Sequence, residues 1–242
     1  MIAPITNMTI RGTIWYQGES NTNDAYRYRD LFPTMIDNWR CDFKNYQMPF
    51  YFVQLASFTD QKPGRQVEPY RGQPRDHSWA ELREAQFMTS FMKNNGMAVI
   101  IDIGESNCIH PANKKDVGER LALWALAKDY GHDIECSGPL YAGYKIEGRK
   151  IRVMFSHAQS GLIFKDGKPK GFAIAGEDKK FVWADAQIDG DTVLVYSDAI
   201  DTPVAVRYAW DVDPENSLYN KSNLPASPFR TDDWNGLTFG KK

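Results

Sequence analysis

Between residues 9 and 131 the hydrophobic pattern alternates between short, dense apolar runs and longer stretches with a helical period. Residues 9–16 (TIRGTIWY), 49–56 (PFYFVQLA) and 97–103 (MAVIIDI) are compact and rich in β-branched and aromatic side chains, as in strands covered on both faces. A helical period follows each one. Residues 24–43 set Leu31, Met35, Ile36, Trp39 and Phe43 along one side, with cap candidates at 21–24. Pro33 is tolerable there only in a first turn, because a proline ring in a helix interior removes a hydrogen bond and crowds the preceding turn. Residues 78–94 align Leu82, Ala85, Phe91 and Met92. Residues 112–130 repeat Val117, Leu121, Trp124, Ala125 and Lys128, then stop at Gly131. Strand and helix in alternation predict an α/β arrangement, a parallel sheet with helices packed on it.

Beyond Gly131 the spacing shortens. Apolar or alternating segments such as 150–156 (KIRVMFS) and 192–196 (TVLVY) are separated by turn pairs at Glu147-Gly148, Asp166-Gly167, Gly176-Glu177 and Asp189-Gly190. These features predict antiparallel hairpins in an all-β module of about six or seven strands. The expected division is an α/β domain over 1–136 and a sandwich-like β domain over 137–242, with the boundary near Ser137-Gly138-Pro139. Residues 59–77, rich in Pro, Gly, Gln and Arg, are expected to form a long loop leaving the second strand, a length usually tied to function.

Composition narrows the function classes. The chain has 242 residues, 42% hydrophobic, with 29 basic against 31 acidic side chains and a net charge of -2, so it offers no basic field for a nucleic-acid backbone. No 18-residue apolar stretch suits a membrane span, and the first residues lack the features of a signal peptide. The chain runs almost at once into a buried-looking strand, so its start reads like the middle of a domain. Cys41, Cys108 and Cys136 match no zinc or redox spacing, and there is no glycine-rich phosphate loop, so no metal and no cofactor are expected.

Open parallel sheets gather ligand-binding groups at the carboxyl ends of their strands. Here those ends carry Gln17-Gly18-Glu19-Ser20-Asn21, Gln54, and Asp102 through Gly104 and Glu105 to His110-Pro111. A Gln, a Glu and a His on one rim supply an oxyanion donor, an orienting carboxylate and a general base. Plainer roles compete: Glu19 as a helix cap, Gln17 as a partner for strand-end backbone, and Trp15, Tyr16 and Trp39 as core. Ser20 is the one local serine with a nucleophile-like setting, but Gly18-Glu19-Ser20 lacks the second glycine of a strained hydrolase elbow.

The run Ile14-Trp15-Tyr16-Gln17-Gly18-Glu19-Ser20-Asn21 resembles the WYQGE(S/T)N signature of the sialate O-acetylesterase family, a carbohydrate-esterase branch of the SGNH hydrolases. In the same order, residues 79–86 (WAELREAQ) look like the family's W-x-x-L-R-E-A-Q helix. Asp102-Ile103-Gly104-Glu105, Ile109-His110-Pro111 with Lys114, and Gly118, Arg120, Leu121 and Ala122 look like its next block. Further matches lie at 171–176, 206–210 and 224–230. The resemblance implies a partial SGNH-hydrolase, flavodoxin-like three-layer parallel sheet followed by a β-sandwich-like module. It also implies a serine esterase that removes O-acetyl groups from sialic acid or another glycan through an acyl-enzyme. His110 is then the base, Gln17 the oxyanion donor and Glu19 the favoured acid, with Glu105 and Asp102 as alternatives. Asn21, Arg83 and Gln86 are candidates for contacting substrate.

Two departures follow. Asn107 and Cys108 stand where relatives often place an aspartate near the histidine, so the acid role moves to Glu19, Glu105 or Asp102. The family's nucleophilic serine lies far upstream in a G-Q-S-N-type turn, and no such motif occurs here. The chain therefore reads as the C-terminal portion of an esterase, completed by a missing N-terminal half on another chain or else a catalytically inactive carbohydrate-binding or structural remnant. A third reading makes Ser20 the nucleophile. Relatives are expected to be periplasmic or secreted.

Overall fold

The computed structural model describes residues 2–59 and 72–241. Most of the expected loop 59–77 thus lies outside the described residues, and only its two ends are seen. A parallel sheet of β1 (Thr13–Trp15), β2 (Phe50–Val53) and β3 (Asn95–Ala98) runs in the order β1-β2-β3. Three helices accompany it: α1 (Ala25–Asp42), α2 (Ser78–Thr89) and α3 (Lys114–Lys128). All four residues of β2 are buried, because helices cover both faces. Phe50 and Phe52 meet Phe32 and Ile36 of α1 and Leu82 and Ala85 of α2 in one cluster. Tyr51 and Val53 join Val117, Leu121 and Trp124 of α3 in another. Trp124 lies so close to β3 that a Cβ on Gly96 would sit 2.5 Å from its ring.

Several expected boundaries and faces move. The strands are shorter than their apolar runs, since residues 99–101 stay buried after β3 ends. The buried face of α1 is Ala25, Tyr28, Phe32, Ile36 and Arg40, whereas Leu31 is 40% exposed. Tyr28 and Arg40 carry polar tips on long apolar bodies, so an apolar-only pattern placed the stripe one position off. Pro33 sits inside α1, not in a first turn. Flanking Phe32 and Ile36 are each at most 2% exposed, and this packing holds the helix through the missing hydrogen bond. Helix α2 stops at Thr89, leaving Phe91 66% exposed while Phe87 takes the buried position.

Ten strands follow, more than the turn spacing implied: β4 (Leu140–Glu147), β5 (Lys150–Ser156), β6 (Leu162–Phe164), β7 (Phe172–Ala175), β8 (Phe181–Trp183), β9 (Asp185–Asp189), β10 (Thr192–Tyr196), β11 (Ala205–Tyr208), β12 (Leu218–Asn220) and β13 (Phe229–Arg230). They form antiparallel sheets ordered β4-β5-β10-β9 and β13-β11-β7-β8, and a small β12-β6 pair. Gly148 and Gly190, with φ of 61° and 64°, turn the two tight hairpins. Alternate residues Ile151, Val153, Val193, Val195, Phe172, Ile174, Val206 and Tyr208 enter the same core cluster as α1 and α2. The protein is thus a mixed α/β structure whose parallel and antiparallel sheets share one continuous core.

Candidate functional site

Helix α2 links the two kinds of sheet and fixes the floor of the rim. Nine of its residues are buried, including Glu81, Arg83 and Gln86. Gln86 Oε1 accepts from Leu55 N at 2.9 Å and its Nε2 donates to Val53 O at 3.2 Å, extending the backbone pairing of β2 beyond its last residue. Arg83, fully buried, donates to Leu55 O (2.8 Å), Ala56 O (2.7 Å), Asp211 O (2.6 Å) and Val212 O (2.9 Å). Burial lowers its pKa to about 9, opposed by the nearby carboxylates of Asp213 and Asp211. Gln54 is likewise enclosed, donating to Arg83 O and Ser227 Oγ. Arg83 and Gln86, the expected substrate contacts, therefore have their polar atoms engaged by backbone, away from solvent.

Above this floor β1 turns out of the sheet. Gly18 is buried against α2, where a Cβ would meet Leu82 at 3.1 Å and Gln86 at 3.2 Å. That packing leaves Gln17 half-buried at the strand end, among the described residues with no hydrogen bond to its carboxamide. Glu19 Oε2 accepts from Gly18 N at 2.9 Å, and Glu19–Asp24 form a 3-10 turn into α1 that carries exposed Ser20 and half-buried Asn21. Burial and the Glu19 charge push the Tyr16 hydroxyl up to about 12. Tyr28 is raised to about 12 chiefly by burial, with Glu19 adding to the effect.

The third strand supplies the histidine loop. Asp102 receives both terminal nitrogens of Arg120, at 2.5 and 2.8 Å, in a pair whose side chains are 7% and 12% exposed. Its carboxylate, one of the expected alternatives for the acid role, thereby ties α3 to the exit of β3. Glu105 Oε1 accepts from Ala112 N at 2.6 Å, and its carbonyl accepts from Cys108 N at 2.9 Å, closing a clasp around residues 105–112. Ser106 O is tied to Thr59 N at 2.8 Å, and Gly104 lies against the Ser57 backbone, where a Cβ would come within 2.4 Å. Within this braced loop His110 is exposed, and among the described residues nothing hydrogen-bonds to its imidazole.

One contact joins the two loops. Lys114 Nζ, in the first turn of α3, lies 5.0 Å from the centre of the Tyr16 ring, next to Gln17. Gln17, Glu19, Glu105 and His110 thus occupy the carboxyl end of one sheet, while no hydrogen bond links Ser20 to His110 among the described residues. Sequence reasoning missed the Asp102–Arg120 pair, the Glu105 clasp and the Lys114–Tyr16 contact. The signal for the first was a charged pair eighteen residues apart, at a strand exit and on the following helix. No group of three or more His, Cys, Asp or Glu with metal-binding geometry occurs among the described residues.

A family model described as carbohydrate esterase, sialic acid-specific acetylesterase, matches residues 2–122. The sialate O-acetylesterase of Homo sapiens is 33% identical over 252 residues, covering 95% of this chain and 47% of that protein. The Mus musculus sialate O-acetylesterase is 31% identical over 259 residues, with 95% and 46% covered. The crystal structure of a novel carbohydrate acetylesterase from Xanthomonas citri superposes with a TM-score of 0.86 at 44% identity, covering 96% of this chain and 52% of that one. The chain therefore spans about half the length of the relatives it matches.

Proposed function

This chain belongs to the sialic acid-specific acetylesterase family of carbohydrate esterases, and from that premise we propose that it forms the histidine-bearing part of an enzyme hydrolysing sugar O-acetyl esters. The observation that carries the reading is the exposed His110 imidazole, free of partners among the described residues, on a loop braced by Glu105 and tied through Lys114 and Tyr16 to the Gln17 turn. His110 takes the proton of a serine hydroxyl as that oxygen attacks the acetyl carbonyl, then returns the proton to the departing sugar oxygen. A water activated by the same imidazole then releases acetate. The Gln17 carboxamide donates to the tetrahedral oxyanion, a role commonly worth about 3–4 kcal/mol. Glu19 is the carboxylate assigned to the imidazolium, and Glu105 holds the loop.

The serine is supplied from outside these residues, by an upstream half of the enzyme carried on a separate segment or chain. The absence of a G-Q-S-N-type turn supports this, as does β1, which among the described residues pairs on one side only, with Ile14 70% exposed. In this reading residues 1–136 are part of an SGNH domain and 137–242 a sandwich-like domain. An inactive glycan-binding remnant is the second reading, favoured by Asn107 and Cys108 where an aspartate is often found. Fluorophosphonate labelling and acetate release from an acetylated sugar separate them. The chain alone should neither label nor turn over, and adding the upstream half should restore both. In that complemented enzyme His110→Ala should lower turnover by about 100-fold or more with the melting temperature unchanged. Labelling of Ser20 with turnover by the chain alone, or near-normal turnover in His110→Ala, would refute the proposal.

A further inference from the structure

The outer face of the β13-β11-β7-β8 sheet holds a cavity of about 340 Å³ that the proposed chemistry does not use. Its origin is the strand pattern. Phe172 and Ile174 of β7 point into the core, so Ala173 between them faces outward. In register, Ala173 lies between Arg207 of β11 and Trp183 of β8, and this small residue between two large ones leaves a trough. Gly171 and Ala209 keep the floor low. Gly171, at φ 80°, has no room for a Cβ, which would sit 2.2 Å from Glu215 O.

The walls have a definite character. Trp183 is 46% exposed, its indole nitrogen held by Gly72 O at 2.7 Å. Phe181 lies under the Arg207 guanidinium at 4.2 Å. Both arginines of the lining are neutralised: Arg207 by Asp76 and Asp232, and Arg75 by Asp211 through two contacts of 3.0 Å. Asp213 and Glu215 remain, and among the described residues their carboxylates make no hydrogen bond. Aromatic faces beside hydrogen-bond acceptors suit the C–H face and hydroxyls of a pyranose, whereas an anionic ligand meets Glu215 and Asp213, neither in an ion pair among the described residues and Asp213 offset only by the buried Arg83 charge.

Backbone hydrogen bonds connect the cavity wall to the rim. Val212, between two lining residues, accepts from Phe58 N at 3.3 Å, and the next residue, Thr59, donates to Ser106 O in the histidine loop. We infer that this cavity is a subsite for an uncharged pyranose, the neighbour of the acetylated sugar along a glycan. The choice of ligand class rests on the carbohydrate-esterase reading, while the cavity and its charge do not.

Titration calorimetry of the purified chain tests this with cellotetraose and lactose as neutral probes and N-acetylneuraminic acid as the anionic one. At least one neutral probe should bind, and N-acetylneuraminic acid should bind about tenfold more weakly or less. Trp183→Ala should weaken neutral binding about tenfold, and Trp183→Phe, which keeps an aromatic face, should retain affinity within about threefold. Binding is read here without any turnover, so a failed esterase reading leaves this result standing. Glu215→Gln, at an exposed position, provides a variant independent of the Trp183–Gly72 contact and should narrow the gap between neutral and anionic probes. No binding by either neutral probe, equal or tighter binding of N-acetylneuraminic acid, or full affinity in Trp183→Ala would overturn the subsite.

Discussion

Replacing Arg83 by Met tests the proposal that the L-R-E-A-Q helix builds the site instead of touching substrate. The guanidinium is 0% exposed and binds four backbone carbonyls. In Arg83→Met two of these keep another donor: Ala56 O has Trp79 Nε1 and Val212 O has Phe58 N. Leu55 O and Asp211 O lose theirs, and two orphaned buried carbonyls cost about 2–6 kcal/mol. The middle of that range, about 4 kcal/mol, is the expected loss. Urea unfolding measures it through the midpoint at constant slope. Arg83→Lys should lose as much, because an ammonium keeps the burial cost and cannot span four carbonyls. A loss below about 1 kcal/mol in both variants would refute the reasoning. A substrate contact would instead raise KM and leave the midpoint in place.

Two further outcomes follow from the same bonding. Asp102→Asn leaves the Arg120 guanidinium facing a neutral amide in a largely buried pair and should cost about 3 kcal/mol in urea unfolding, with α3 losing amide-exchange protection first. Burial lowers the His77 pKa below its ordinary 6.5, and the neutral ring caps α2 by accepting from Trp79 N at 3.1 Å. On acidification the unfolded chain binds that proton first, so stability is retained above about pH 6.5 and lost as pH falls from there towards the depressed value. His77→Asn keeps an acceptor at the cap but cannot titrate, and should lose less stability than the unaltered chain between about pH 7 and 5. Parallel stability curves for the two would refute the role.

The order of elements was legible in the sequence because apolar period reports burial directly: β2 reads as a continuous run since helices cover it on both sides, and the two-residue hairpins announce themselves through Gly148 and Gly190. The errors share one cause. Arg40 of α1, and Glu81, Arg83 and Gln86 of α2, are buried polar side chains with partners outside their own helix, so no local pattern marks them as interior. The motifs at Arg83, Gln86 and Asp102 likewise carry no sign that these side chains are bonded within the fold. His110 is the opposite case. The sequence marks it only through its loop, and the structure shows that loop braced from several sides while the imidazole stays open.

That contrast indicates how the parts divide the work. Glu81 accepts from Leu237 N, Thr238 N and Thr238 Oγ1, Glu84 pairs with Arg29 and Arg230, and Arg83 donates to the Asp211 and Val212 carbonyls, so α2 is bonded to the chain's last residues and to the wall of the cavity. Its other bonds, from Gln86 and Trp79, run to the exit of β2 at the rim. A displacement of the cavity wall is thus transmitted to residues 55–59 through one rigid helix and through the direct Phe58–Val212 bond. Rim and cavity are consequently held in fixed register, the arrangement needed if one sugar is to be gripped while its neighbour presents an ester to His110.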